Sequence, residues 1–447
     1  MESYTIVNIV KIFNISLENE RKKVLIITYY WPPAGGPGVQ RVLKFVKYLP
    51  AFGWEPVVLT VQSGEYPAID KSLLNDIDPT LKVYKLKTLE PFRLYKALFK
   101  KKEDKISAFE LVNDDGKFST KISHFMRNNF FIPDARVGFY LRNKKKIKKI
   151  VARENPDVLL ISSPPPSLLL IGKYLSENIG IKWVADFRDP WIDAFWEKNN
   201  NRVKYLQKKM VKIELEILKS ADAISCVSPA ITKSLANKIQ NHKKTYTIFN
   251  GFDHTDFSSI EKQGSDKFRM SFIGGLGESQ ICENFFEGIA SLPKNLQKNI
   301  EIKIIGNIHD GVTDIIKKYN LSKTVKVKRY QPHNYVISRI INSELLLLFI
   351  ARNSGEGVIS GKFFEYLATG NEILAITDGP NENLNDLLTS CQAGIVKQYD
   401  DNFLNYLNIK IGNWQEKKKH VSNLEAIQKY SRKEQTKVLS QLLNNLK

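Results

Sequence analysis

The chain of 447 residues alternates short apolar runs with longer segments of helical periodicity, and it does so in two successive series. This alternation is typical of βαβ units, in which parallel strands form a sheet that helices cover. In the first series we predict strands at 23–28, 56–62, 82–86, 157–162, 181–186 and 223–227, with helices at 38–52, 138–154, 167–179 and 201–220. The second series opens with a strand and glycine turn at 268–276 and a helix at 281–292, and its later strands are predicted at 300–306, 325–330, 345–350, 371–377 and 393–398.

Two such series predict an α/β fold with two Rossmann-like, doubly wound domains that face each other across a cleft. Ligands of such sheets bind beyond the carboxyl ends of the strands. The boundary is expected near 228–250, so that the domains cover 1–240 and 241–420, followed by a C-terminal helix in 421–447.

A net charge of +20 calls for an anionic partner or a solvated basic surface. The basic residues are concentrated in 93–105, 142–149 and 198–212, and the first of these segments also has an apolar face. Basic amphipathic segments favour binding to an anionic membrane surface. Nucleic acid is the rival partner, but no recognition motif accompanies the charge, and we predict no nucleic-acid binding.

The three cysteines, Cys226, Cys282 and Cys391, are widely spaced and odd in number. They fit neither a disulfide framework nor a metal site, and they predict buried thiols in a reducing compartment. The first 23 residues lack the pattern of a signal peptide, and no window approaches the roughly 20 apolar residues of a membrane span. We therefore expect a cytoplasmic protein, soluble or peripheral on a membrane.

The loop YYWPPAGGPGVQR at 29–41 follows the first predicted strand and leads into a helix. A dinucleotide-binding loop requires a third glycine where this chain has Arg41, and an acid at the end of the second strand, which is absent. No Gly-Lys-Ser/Thr motif follows either. A small-residue loop before a helix N-terminus suits an anion, although a glycine turn that only lets the helix pack is the alternative.

The motif WVADFRDPW at 183–191 lies at the end of a predicted strand. Its two carboxylates, Asp186 and Asp189, flank Arg188 in a position that suits hydroxyl recognition or proton transfer. These three residues are the candidate catalytic residues. The alternative is a structural Asp–Arg pair that ties the loop.

Two further motifs in the second half suit a phosphate ligand. Gly274 and Gly275 follow a strand and would let the backbone approach a phosphate closely. In GVISGKFFEYLATGNEILAI at 357–376, a helix begins near Ser360 and Gly361 and carries Lys362 in its first turn and Glu365 three residues later. A cation at a helix N-terminus opposes the helix dipole, which favours an anionic ligand there. An ordinary amphipathic helix is the alternative.

Together these motifs resemble the bacterial family 4 glycosyltransferases. The segment KVLIITYYWPPAGGPGVQRVLKFVKYLPAFGWEPVVLT, then RDPW, NGFD, FIGGLG and GKFFEYLATGNEILAI, appear in the family's order over residues 23 to 400. The resemblance implies the GT-B architecture, with an acceptor-side first domain, a nucleotide-sugar-binding second domain and a last helix that could return to the first. Members transfer a sugar from a nucleotide sugar, usually with retention and without a metal, and many build lipopolysaccharide, capsule or exopolysaccharide on the inner leaflet.

The resemblance also implies roles for particular residues. Gly35, Gly36 and Gly38 would approach the donor phosphates, as would Gly274 and Gly275 in the second domain. Ser360, Gly361 and Lys362 would contact the diphosphate, and Glu365 would bind the ribose. Donor phosphate itself could take the acceptor proton in this family, which removes the need for an enzymic base.

In its second half the chain departs from the family pattern at two places. Gly357 stands where many members have a first glutamate, and Glu278, Ser279 and Gln280 occupy the region of a usual basic pair. Neutralisation of the phosphates would then rest on Lys362, with Arg352 or Arg329.

The sequence thus predicts a membrane-peripheral glycosyltransferase of surface-polysaccharide assembly. Its substrates would be a UDP- or GDP-linked sugar and a lipid-linked or other saccharide acceptor, with no cofactor and no metal. Two alternatives stay open: a nucleotide-sugar 2-epimerase of the same architecture, and a non-catalytic partner that binds nucleotide sugar.

Overall fold

The structure is a computed structural model that describes residues 22–447 except 65, 67, 90–128, 130, 195–196, 198–201, 259 and 355–358. The chain divides into two units. The first unit contains the described residues up to Val227 together with Ile231–Ile248 and Thr436–Lys447, and the second contains Ser228–Ala230 and Phe249–Gln435.

The described part of the first unit contains a parallel sheet in the order β3-β2-β1-β4-β5-β6-β7. Its strands are β1 (Lys22–Thr28), β2 (Trp54–Val61), β3 (Val83–Leu86), β4 (Val158–Ser163), β5 (Trp183–Phe187), β6 (Ala223–Cys226) and β7 (Thr245–Thr247). The accompanying helices are α1 (Pro37–Tyr48), α2 (Val137–Glu154), α3 (Leu169–Ile179), α4 (Lys204–Ser220) and α5 (Pro229–Ile239).

Strand β1 shows why this sheet is covered on both faces. Leu25 and Ile27 belong to one buried cluster, whereas Val24 and Ile26 belong to another. Successive side chains of a strand point to opposite faces, so a continuous apolar run requires helices on both sides.

The second unit repeats this arrangement with a parallel sheet in the order β10-β9-β8-β11-β12-β13. Its strands are β8 (Phe268–Ile273), β9 (Ile300–Ile305), β10 (Val325–Lys328), β11 (Leu345–Phe349), β12 (Glu372–Thr377) and β13 (Gly394–Gln398). Its helices are α6 (Glu283–Ala290), α7 (Lys294–Gln297), α8 (Asp310–Lys318), α9 (His333–Ile341), α10 (Gly361–Ala368), α11 (Glu382–Ser390), α12 (Leu404–Gln415) and α13 (Leu424–Gln428). Short 3-10 helices lie at Leu49–Phe52, Lys71–Asp76, Pro166–Leu168, His242–Lys244, His254–Asp256 and Glu278–Gln280.

The last helix, α14 (Arg432–Asn444), packs on the first unit from Thr436 onward. Leu439 and Leu443 are fully buried in the cluster that contains Val24 and Ile26. The indole nitrogen of Trp54 donates a hydrogen bond of 3.2 Å to Asn444 Oδ1. The end of the chain is therefore part of the core of the first unit.

These sheets confirm the predicted α/β class with two Rossmann-like domains. The strand β7 was not predicted, because it has only three residues and all of them are partly exposed. The three cysteines are buried and free, as predicted. The basic segment 93–105 lies outside the described residues.

Candidate functional site

In the second unit, Lys362 lies against the glycine turn that follows β8. Its Nζ is 4.2 Å from the centroid of the Phe272 ring. A Cβ placed on Gly274 would lie 2.9 Å from that Nζ, and Gly274 has a φ of +108°. Glycine is the residue that adopts this φ without strain and leaves room for the ammonium. The structure thus brings together two residues that the sequence predicted for the same ligand.

The environment of Lys362 favours loss of its proton. Burial lowers the pKa of Lys362 from 10.5 to about 8, and the carboxylate of Glu365 opposes this shift. The ammonium is thus charged at neutral pH but has given up much of its solvent. An anionic ligand would replace that lost solvation and favour the charged form.

Glu365 lies one helical turn beyond Lys362 on α10, and its side chain is one-quarter exposed. Its Oε1 is 3.8 Å from Nε2 of His333, the first residue of α9. Sequence reasoning missed His333. The signal that could have identified it is its place shortly after β10, at the same edge of the sheet as Gly274.

The start of α10 is fixed to the end of β8. The Tyr366 hydroxyl accepts a hydrogen bond of 2.9 Å from the backbone N–H of Ile273. Ser360 is the N-cap of the helix, before Gly361, and its side chain makes no capping hydrogen bond. Phe363, Phe364 and Leu367 are buried, so the opposite face of α10 belongs to the core. The helix therefore holds its first-turn amides, Lys362 and Glu365 at one corner of the second unit.

The other residues that the sequence predicted for the phosphates are Gly275, Arg352 and Arg329. Gly275 is exposed, and a Cβ there would meet nothing nearer than 4.0 Å. The guanidinium carbon of Arg352 is 4.4 Å from the centroid of the Tyr399 ring. The backbone N–H of Arg352 donates to Ser279 O at 2.9 Å. Arg329 is exposed after β10. The prediction about Gly357 falls outside the described residues.

In the first unit, the glycine loop leads into α1 as predicted, but its three glycines have different roles. Gly36 is the N-cap of α1, with φ +103°. Gly38 makes room for Arg188, because a Cβ on Gly38 would lie 1.4 Å from the Arg188 Nη1. The backbone N–H of the buried Gly35 donates to Ala68 O at 2.9 Å. That N–H is therefore already bonded within the first unit.

Asp186 does not have the surroundings expected of a catalytic carboxylate. It is fully buried on β5, and its oxygens accept hydrogen bonds from Arg41 Nη2 at 2.8 Å and Nε at 3.2 Å. The hydroxyls of Ser162 and Ser225, its neighbours in register on β4 and β6, donate to it at 2.8 and 2.7 Å. With four donors and no exposure, Asp186 has no open position for a substrate proton.

The electrostatics of Asp186 agree with a structural role. Burial alone would raise its pKa, but Arg41 and the two serine hydroxyls hold the pKa below its ordinary value. Arg41 is fully buried as well, and its Nη1 donates to Ile248 O at 2.8 Å. The Asp–Arg pair of this motif is thus structural, but its arginine is Arg41 of α1 and not Arg188. Asp189 is exposed and is not part of this network.

Two absences among the described residues concern metal ions and membrane spans. They contain no group of three or more His, Cys, Asp or Glu side chains that could hold a metal ion. No helix among them combines the length and the apolar character needed to cross a bilayer.

Comparison with solved structures gives the class of the fold. HepE (Alr3699) of Anabaena, solved in complex with UDP, aligns with a TM-score of 0.62 and 12% identity over 95% of this chain and 100% of HepE. A glycosyltransferase from Rickettsia africae aligns with a TM-score of 0.61 and 12% identity over 96% of this chain and 99% of its own. At such identities the likeness establishes the fold, which is that of GT-B glycosyltransferases.

Part of the sequence matches a known family. Residues 36–256 match the family described as Glycosyltransferase Family 4. TuaH of Bacillus subtilis strain 168, described as a candidate teichuronic acid biosynthesis glycosyltransferase, is 27% identical over 101 residues. That alignment spans 21% of this chain and only 25% of TuaH.

Proposed function

We propose that this chain transfers a sugar from a UDP- or GDP-linked donor to a lipid-linked or other saccharide acceptor during cell-surface polysaccharide synthesis. The observation that carries the proposal is the placement of Lys362 against Gly274, with Glu365 one turn further along α10. The family match supports the reaction class. The UDP bound to HepE and the pathway in the description of TuaH support the class of donor and product.

In this proposal the second unit binds the nucleotide. Lys362 and the amides of 360–362 neutralise the diphosphate, and Glu365 accepts hydrogen bonds from the ribose hydroxyls. As the bond to the sugar breaks, negative charge grows on the departing diphosphate, and a fixed ammonium stabilises that charge without rearrangement. We propose retention of anomeric configuration without a metal, with donor phosphate taking the acceptor proton. Turnover that survives excess EDTA is the expected result.

The purified protein should be offered a panel of UDP- and GDP-sugars with bacterial lipid extract, and release of nucleoside diphosphate should be followed. Release that requires the extract supports the transferase. Conversion of the sugar without any acceptor would indicate a 2-epimerase, and binding without either reaction would indicate a non-catalytic partner. Both of these results would contradict the proposal.

A second part of the proposal concerns the outer surface of α2 and α4 in the first unit. These helices flank α3, as the 5.6 Å from Lys144 Nζ to the Tyr174 ring centroid and the 3.4 Å ion pair of Lys173 with Glu216 show. Leu141 and Tyr205 on this surface are 59% and 72% exposed. Its exposed basic side chains are Arg142, Lys145, Lys146 and Lys149 on α2, and Lys204, Lys208, Lys209 and Lys212 on α4. We propose that it holds the enzyme peripherally on the anionic cytoplasmic leaflet.

Co-sedimentation with vesicles tests this attachment. We expect binding to phosphatidylcholine vesicles that contain phosphatidylglycerol, weaker binding at high salt, and little binding to phosphatidylcholine alone. Changing Lys204, Lys208 and Lys212 to Glu should remove most of the binding, since each lysine contributes about 1 kcal/mol near such a surface. The control changes Lys298, Lys323 and Lys326, which are exposed on the second unit, to Glu. Equal loss in both variants would contradict a specific role for α4.

A further inference from the structure

Arg188 is held at the first turn of α1 by two backbone carbonyls. Its Nε donates to Ser163 O at 3.1 Å, and its Nη2 donates to Pro164 O at 2.8 Å. These two bonds fix the plane of the guanidinium. The remaining nitrogen, Nη1, fills the space where a side chain at Gly38 would begin.

The charge of Arg188 has no direct counter-ion among the described residues. Asp186, two residues earlier, is bound by Arg41, and Asp189 acts on Arg188 through space without an ion pair. No carboxylate of the described residues lies within ion-pair distance of its guanidinium. The N-terminal turn of α1 beside it adds positive potential instead of relieving it. A partly buried cation in this position favours an anion, which the described residues do not provide within ion-pair distance.

Aromatic rings adjoin the guanidinium. The centroid of the Tyr30 ring is 5.8 Å from the Arg188 guanidinium carbon and 6.4 Å from the Tyr66 ring centroid. Both tyrosines are partly exposed, whereas Tyr29 behind them is fully buried. Flat aromatic faces beside hydrogen-bond donors suit the apolar face of a sugar ring together with its polar substituents.

We propose that Arg188 binds an oxyanion, either a carboxylate or a phosphate, on the saccharide that the first unit accepts. Nη1 donates to the oxyanion, and the rings of Tyr30 and Tyr66 pack against the sugar that carries it. The inference rests on the proposed function for the acceptor role of the first unit. It narrows the acceptor to an acidic or phosphorylated saccharide and makes Arg188 a specificity-determining residue.

Ligand-observed NMR with the full chain tests this assignment, with glucuronate, glucose 1-phosphate and glucose as probes at constant ionic strength. We expect glucuronate or glucose 1-phosphate to bind about tenfold or more tightly than glucose, as a charge-assisted hydrogen bond allows. The preferred anion tells whether the group is a carboxylate or a phosphate. Arg188→Gln should abolish the preference, and Lys233→Gln, which removes one exposed charge from α5, should retain it.

Gly38→Ala should also abolish the preference for the anionic sugars, because the alanine Cβ would collide with Nη1 of Arg188 while the charge of Arg188 is kept. Thermal unfolding and UDP affinity show whether each variant is folded. The proposal is overturned if the wild type shows no preference for the anions, if both variants retain it, or if Arg188→Gln weakens UDP binding instead. If the proposed function fails instead, the wild type shows no nucleotide-sugar turnover but still binds the anionic sugars more tightly than glucose.

Discussion

Replacing Asp186 with asparagine separates a structural from a catalytic role for this carboxylate. The substitution keeps the shape of the side chain and removes its charge. Arg41 then stays fully buried without its counter-ion, since its Nη2 and Nε both donate to Asp186 in the folded protein. We therefore expect Asp186→Asn to destabilise the first unit.

The size of the effect follows from burial of the pair. Breaking a buried ion pair by removing one partner costs about 3–5 kcal/mol. For a domain of this size each kcal/mol lowers the unfolding temperature by about 2–4 °C, so a fall of roughly 6–20 °C is expected. Because Asp186 has a lowered pKa, the ion pair stabilises the fold at neutral pH, and this contribution is lost as the pH falls through the pKa of the folded state. The difference between variant and wild type should therefore shrink in acid.

Calorimetric unfolding of the first unit measures this shift, and release of nucleoside diphosphate measures turnover. Asp189→Asn is the matched control, because Asp189 belongs to the same motif but is exposed. It should change stability by less than about 0.5 kcal/mol. Arg41→Met combined with Asp186→Leu should recover much of the stability that Asp186→Asn loses, since a buried pair can often be replaced by apolar residues. An Asp186→Asn variant that unfolds at the wild-type temperature but has lost turnover would refute the structural role.

Three further predictions concern the nucleotide site and the last helix. UDP affinity, measured by calorimetry between pH 7 and 9.5, should fall above pH 8. The reason is that Lys362 has a pKa of about 8 and must be protonated to bind the diphosphate. A UDP affinity that does not change with pH would exclude Lys362 as a ligand. Gly274→Ala should weaken UDP binding by displacing that ammonium, whereas Gly275→Ala should bind like the wild type. Leu443→Ala should destabilise the first unit by about 2–5 kcal/mol, because Leu443 is fully buried in its core; an equal loss in the second unit would contradict this packing.

The fold could be predicted from the sequence because its signals are local. Strands such as β1 and β11 are continuous apolar runs, and buried parallel strands need such runs whatever lies around them. The three-residue β7 carries no such signal. It is positioned by its pairing with β6, a contact between different parts of the chain.

The candidate site could be predicted where its residues belong to recognisable motifs. Lys362 and Glu365 lie on one helix, so their spacing alone places them on one side of it. The role of Asp186 depends instead on Arg41, which lies 145 residues away in sequence, and on serines of two neighbouring strands. Arg41 appeared in the sequence only as the residue that breaks a glycine motif. Its function depends on the packing of α1 over the sheet, which the sequence alone does not show.

The most direct test of the account is turnover of nucleotide sugar by Glu365→Ala. The assay follows nucleoside diphosphate release in the presence of acceptor lipid, with Glu382→Ala, an exposed position on α11, as the control. We expect the wild type and the control to be active and Glu365→Ala to lose about a hundredfold or more in kcat/KM, because two hydrogen bonds from the ribose to a carboxylate are removed. Undiminished turnover by Glu365→Ala would contradict the assignment of the nucleotide site to α10.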